Sequence, residues 1–257
     1  AYGVAVRDSF AYVADYGSGL RIVKISNPAS PTSTGAFDTP GNAYGVAIQD
    51  TFAYVADYGS GLRIIKIKNP ASPAETGFYV TPVSAIGVPL SGSHAYVADV
   101  SAGLRIINIS APAPPVETGS HDTPDYSRDV TVRDTFAYMV SGGEGLRTIK
   151  ISNPAAPAEA GVCDMPGIAN GVAVSGNYAF MASGVAGLQV VDIVYPGFPD
   201  SVGGLNTPGS ANGVAVSGNY AYVADGSSGL RVINKSTPNI PIEVGFFDTP
   251  GTANGVA

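Results

Sequence analysis

The chain has 257 residues, with 13 basic against 20 acidic side chains and a net charge of −7, a balance that argues against a nucleic-acid partner. Charged residues make up only 13% of it, so Ser, Thr, Asn, Gly and Pro must form much of the surface. No apolar run approaches the roughly 20 residues of a membrane-spanning helix, and the single cysteine, Cys163, excludes an internal disulfide.

The segment Ala1-Tyr2-Gly3-Val4-Ala5-Val6 returns in recognisable form at residues 43, 85, 127, 169 and 211, a constant step of 42 residues without insertion or deletion. The repeats are therefore 1–42, 43–84, 85–126, 127–168, 169–210 and 211–252, and 253–257 spells the start of a seventh. Within each repeat the elements follow one order. An inner strand around Gly3-Val4-Ala5-Val6 turns through Asp8-Ser9 into Phe10-Ala11-Tyr12-Val13-Ala14. Tyr16-Gly17-Ser18-Gly19 then turns the chain into Leu20-Arg21-Ile22-Val23-Lys24-Ile25. A Pro-rich crossing, Ser26 to Thr34, leads to a weaker strand around Gly35-Ala36-Phe37, and Asp38-Thr39-Pro40-Gly41-Asn42 returns to the next repeat. These runs are short and rich in β-branched or aromatic residues, which suits strands. Pro28, Pro31, Pro40 and their equivalents recur in all six repeats and forbid long helices.

Leu20 and Val4 recur in all six copies and are expected core anchors, each worth roughly 1.5 to 3 kcal/mol when buried. Strands with little polar alternation suit sheets covered on both faces by neighbouring sheets. The expected fold is all-β: one domain over 1–257, a six-bladed β-propeller of 42-residue, four-stranded repeats, with seven blades the alternative.

The run Gly-Leu-Arg-Ile-Val-Lys-Ile at 19–25, its copy Gly-Leu-Gln-Val-Val-Asp-Ile at 187–193, and the flanking Ala-Tyr-Val-Ala-Asp and Ser-Asn-Pro-Ala-x-Pro segments resemble the LVIVD-repeat family. The resemblance covers the whole chain. It implies a β-propeller, often on bacterial or archaeal surface proteins, and brings no shared catalytic residues.

Little in the chain points to catalysis. His94 and His121, the only histidines, stand where other repeats carry aromatic residues, and so read as packing. Cys163 takes the slot of Phe37 and reads as a buried filler. Asp15, Asp57, Asp99 and Asp225 end second strands, while Arg21, Arg63, Arg105, Arg147 and Arg231 begin third strands. A turn-spanning ion pair accounts for them better than a calcium-binding ring of carboxylates, so no cofactor is expected.

In a propeller the inner strands line the axis, so Tyr2, Tyr44, Ile86, Arg128, Asn170 and Asn212 are expected around one mouth of the channel. The fourth repeat departs there, reading Asp125-Tyr126-Ser127-Arg128-Asp129 where others carry glycines. The candidate ligand-binding residues are thus Asp125, Tyr126, Arg128 and Asp129, with Tyr2, Tyr44, Asn170 and Asn212.

The expected function is a non-catalytic, extracellular or cell-surface module that binds a protein or glycan. The alternative is a structural subunit that polymerises through its spare terminal strand at 253–257, because Ala1 to Val6 and Ala253 to Ala257 spell the same inner strand. A hydrolase or lyase on the same ring is a third reading. The chain starts without Met, inside a strand pattern, and reads as a mature product or a fragment. Sequons at Asn108 and Asn234 fall at equivalent third-strand positions, where modification is disfavoured.

Overall fold

A hairpin of two apolar strands cannot cover its own faces, and in this protein neighbouring sheets cover one another. The computed structural model describes residues 1–111 and 113–257. Pro112, the third-repeat equivalent of Pro28, lies outside the described residues. Six antiparallel sheets follow one another as the blades of a six-bladed β-propeller. Blade 1 runs Gly3–Arg7, Phe10–Ala14, Leu20–Lys24 and Thr32–Phe37, from inner strand to outer, and each strand pairs with its neighbour in sequence. Among the described residues helix is confined to two short 3-10 turns, Val100–Ala102 and Gly142–Glu144.

The first hairpin turns on two residues between the paired Arg7 and Phe10. Asp8, Asp50 and Asp134 take positive φ there, near +50°, and Gly92, Gly176 and Gly218 do so in the other copies. The outer strand is longer than its sequence suggests, because Ile22 pairs with Gly35 while Val23 pairs with Ser33, a bulge that lets Thr32 and Ser33 join the ladder. One inner strand departs from the common pattern. Pro89 has no N–H for the ladder and splits the third into Ala85–Gly87 and Leu90–Ser91.

The chain forms two compact units, Ala1–Asp122 and Thr123–Ala257. Within the first, Tyr12, Ala14, Leu20 and Ile22 on the front of blade 1 pack against Ala43, Ala53, Val55, Ile65 and Ile67 on the back of blade 2. The front of blade 2, with Tyr54, Leu62 and Ile64, repeats this against Ala95, Val97 and Ile107 of blade 3. Within the second unit the same joint recurs twice. Tyr138, Val140 and Leu146 of blade 4 meet Ala179, Met181 and Val191 of blade 5, whose own Phe180, Leu188 and Val190 meet Ala221, Val223 and Ile233 of blade 6. Each of these four joints joins a front to a back. The recurrent Leu20, Leu62, Leu104, Leu146 and Leu188 are fully buried, as core anchors must be.

Inner strands approach so closely that a β-carbon on Gly3 would lie 2.6 Å from the Tyr44 carbonyl oxygen, which is why glycine recurs at that position.

Candidate functional site

In the first unit four tyrosines form a continuous row. Tyr2 and Tyr44 precede the inner strands of blades 1 and 2, and Tyr16 and Tyr58 open the hairpins between second and third strands. The Tyr2 and Tyr44 rings lie 4.6 Å apart, centroid to centroid, tilted by 42°, Tyr16 lies 5.6 Å from Tyr2 and 5.7 Å from Tyr44, and Tyr58 extends the row 5.3 Å beyond Tyr44. Tyr2, Tyr16 and Tyr58 remain 40%, 44% and 40% exposed. Burial, and then the neighbouring phenols, push the Tyr44 pKa upward.

The backbone beneath two of these rings is strained. Tyr16 and Tyr58 both have φ near +50°, a left-handed conformation that costs a side chain with a β-carbon about 1 to 2 kcal/mol. Blades 4, 5 and 6 put Gly142, Gly184 and Gly226 at the same position, at similar φ and without that cost. Backbone bridges hold the strain in place, Tyr16 exchanging two 3.0 Å hydrogen bonds with Ala43 and Tyr58 two with Ala85. Tyr2 and Tyr44 stood out in the sequence; Tyr16 and Tyr58 did not. The signal was available, since the repeat alignment sets both against three glycines.

In the second unit the departing repeat spends its acids internally. The Asp125 carboxylate accepts hydrogen bonds from the Tyr126 and Gly143 amides at 2.7 and 2.9 Å, and these bonds hold its pKa below the usual carboxylate range. The carboxylate of Asp129 accepts from Val130 N–H at 2.9 Å and from Val172 N–H, on the inner strand of blade 5, at 3.0 Å. Burial outweighs those bonds and raises its pKa to about 6. Tyr126 and Arg128 are exposed beside them. Asn170 donates its side-chain amide to the Ala211 carbonyl at the start of the sixth repeat, and Asn212 to the Ala253 carbonyl in the terminal segment, both at 3.1 Å. The first amide fastens blade 5 to the sixth repeat, and the second fastens the terminal segment to blade 6.

The recurrent aspartates do more than pair with arginine. Asp57 is fully buried, accepts from the Thr39 hydroxyl at 2.5 Å and the Gly41 amide at 2.8 Å, and lies 3.9 Å from the Arg63 guanidinium. Asp225 repeats this with Thr207, Gly209 and Arg231, while Asp99 accepts from the Val83 and Ser84 amides. The ion pair is long and buried, and the closer bonds belong to the loop that enters the blade. Each aspartate is a clamp on that loop; burial pushes the Asp57 pKa upward, against the pull of Thr39 and Gly41. Among the described residues no three of His, Cys, Asp and Glu converge on one point. His94 packs near Tyr96, and burial lowers its pKa. Cys163 is buried in the core of blades 4 and 5, which raises its thiol pKa.

The repeats that build these features match the LVIVD repeat at residues 1–39, 40–81, 84–123, 124–165, 166–207 and 208–249. The chain belongs to the LVIVD-repeat family. A search of curated protein sequences finds no match. Among solved structures, this LVIVD-repeat protein is similar to the WD40 repeats of RRP9, 10% identical over 99% of this chain and 82% of that one with a TM-score of 0.77. A functionally unknown protein from Desulfotomaculum acetoxidans DSM 771 is 13% identical over 96% of this chain and 84% of its own, with a TM-score of 0.75. BamB from Moraxella catarrhalis is 11% identical over 100% and 76%, at 0.67. At such identities the likeness shows the fold alone.

Proposed function

We propose that this LVIVD-repeat protein is a non-catalytic binding module of an extracellular or cell-surface setting, and that the tyrosine row takes a neutral glycan. The observation that carries the reading is the strain at Tyr16 and Tyr58, where the same scaffold elsewhere uses glycine. Backbone strain that packing does not require marks a site where the side chain is wanted. The rings offer wide, rigid faces for the C–H faces of sugar rings, with phenolic hydroxyls at their edges, and tyrosine loses little conformational entropy on binding. A net charge of −7 disfavours acidic polysaccharides. The non-catalytic part is supported by how the acids are used, since Asp57, Asp99, Asp125, Asp129 and Asp225 all hold backbone or loop groups.

Screening the protein on an array of neutral glycans, acidic glycans and peptides tests the reading. Binding to a neutral glycan that Tyr44→Ala abolishes, with the glycan recovered unchanged after incubation, is the expected result. Binding only to peptides, or undiminished binding by the Tyr44 variant, would overturn it.

A further inference from the structure

Blade 5 lacks the charges that other blades gather beside the third strand. In blade 6 the Arg231 guanidinium lies 3.7 Å from Asp225 and 3.5 Å from both Glu243 and Asp248, over the ring of Phe246. Blade 3 sets Arg105 against Asp99, Glu117 and Asp122 in the same way. In blade 5 the matching positions hold Gln189 for the arginine, Ser183, Ser201 and Asn206 for the carboxylates, and Gly204 for Phe246. The charges have gone together, and small or neutral groups stand in their places. Ser183 is fully buried and its hydroxyl has no hydrogen-bond partner among the described residues, so the Gly167 amide lacks the acceptor that Asp225 gives Gly209 at 2.8 Å.

The space has become a cleft of about 570 Å³, lined by the apolar Pro166, Val185 and Ala186 and by Gln189, Gly204 and Asn206. That volume is in the range of small-ligand sites. Gln189 is only 8% exposed, and its Nε2 donates to the Ala186 carbonyl at 2.6 Å, which fixes the amide. A β-carbon on residue 204 would lie 2.6 Å from Gln189 Oε1, so the glycine makes the room in which that amide lies.

A cleft stripped of charge gives a charged ligand no counter-ion while still taking away its water, so its ligand is neutral. The fixed Gln189 amide offers an acceptor and one remaining N–H, and Asn206 offers the same pair. Those groups complement an amide, whose N–H donates to Gln189 Oε1 and whose carbonyl accepts from Asn206 Nδ2. Pro166, Val185 and Ala186 suit a methyl group beside it. A peptide repeats its amides and needs a row of partners, whereas two side-chain amides at one point suit a single amide carried on a polar body. We propose that this cleft is a further saccharide site, which takes the acetamido group of an uncharged N-acetylated sugar and leaves the sugar hydroxyls in water. It lies in the second unit and does not rest on the tyrosine row.

Amide NMR during titration with N-acetylglucosamine tests this. The Gln189 side-chain amide and the Gly167 and Ala186 backbone amides are expected to shift along one saturable curve. Glucose, which lacks the acetamido group, and N-acetylneuraminic acid, which adds a carboxylate, should bind about tenfold or more weakly. Gln189→Arg and Asn206→Asp install residues that other repeats carry at those positions, as at Arg231 and Asp248, so the fold is retained, which circular dichroism checks. Each should weaken binding by about tenfold or more, while Tyr44→Ala leaves these shifts unchanged. No shift at these amides, equal binding of glucose, a folded Asn206→Asp variant that binds like the parent, shifts that vanish with Tyr44→Ala, or a response to peptides alone would each overturn the proposal.

Discussion

Replacing Tyr16 by glycine separates a binding tyrosine from a structural one. At φ near +50° the substitution relieves about 1 to 2 kcal/mol of backbone strain. Against this, glycine gains about 0.5 to 1 kcal/mol of freedom in the unfolded chain. The contacts with Tyr2 at 5.6 Å and Tyr44 at 5.7 Å are lost, at about 0.5 to 1.5 kcal/mol for an aromatic pair. The opposing effects nearly cancel, and stability is expected to stay within about 1 kcal/mol of the parent, a shift in Tm of about 2 to 4 °C for a domain of this size. Tyr16→Ala loses the same rings but keeps the strain, and should fall about 1 kcal/mol below the glycine variant. Binding to the glycan should weaken by about tenfold or more in both, the equivalent of about 1.4 kcal/mol. Differential scanning calorimetry and isothermal titration on the same preparations read both quantities. A glycine variant that melts far below the parent while holding its ligand as tightly would show Tyr16 to be a structural prop and would refute the reasoning.

Three further outcomes follow from the buried polar groups. Asp129 has a folded pKa raised to about 6, so the folded chain keeps a proton that the unfolded chain releases between about pH 4 and 6. Stability should therefore fall as pH rises through that window, by roughly 1 to 3 kcal/mol, and Asp129→Asn should flatten the slope in urea titrations. Asp57→Ala leaves the Thr39 hydroxyl and Gly41 amide without their acceptor and is expected to cost about 2 to 4 kcal/mol, with the Asp38 to Asn42 amides losing protection in hydrogen exchange. Cys163, buried and with its thiol pKa raised, should react with a thiol reagent at pH 8 only as fast as the chain opens; rapid labelling of the native protein would contradict its place in the core.

The constant 42-residue step made the blades legible, because a repeated apolar strand pattern records a repeated burial, as the fully buried Leu20, Leu62, Leu104, Leu146 and Leu188 show. The clamp was harder to read. Asp57 and Arg63 lie close enough in sequence to suggest an ion pair, but the strongest partners of Asp57 are a hydroxyl and an amide in the loop entering the blade, 18 and 16 residues away. Backbone donors leave no mark on composition. For the same reason Asp125 and Asp129 looked like free charges at a ligand mouth, although amides from Gly143 and Val172 already occupy them. Tyr16 and Tyr58 were hidden differently, since a tyrosine in a turn is unremarkable until its φ is known.

The fourth repeat fastens the loop entering its blade with different residues. It lacks the strand-end aspartate, carrying Ser141 where blade 2 has Asp57, yet it gains Asp125 in the loop that the aspartate would have held. Ser141 donates its hydroxyl to the Asp125 carbonyl at 3.1 Å, and the Asp125 carboxylate reaches back to Gly143 at 2.9 Å. The carboxylate has changed sides of the same clamp, so the loop stays fastened although its sequence looks foreign. In blade 4 the same kind of hydrogen bond is thus made by different residues. At position 16 and its equivalents nothing needs fastening by a side chain, and the Tyr, Val and Gly found there differ in a property that the scaffold does not use. A difference of that kind, held against the backbone's own preference, is the mark of a surface shaped for something outside the molecule.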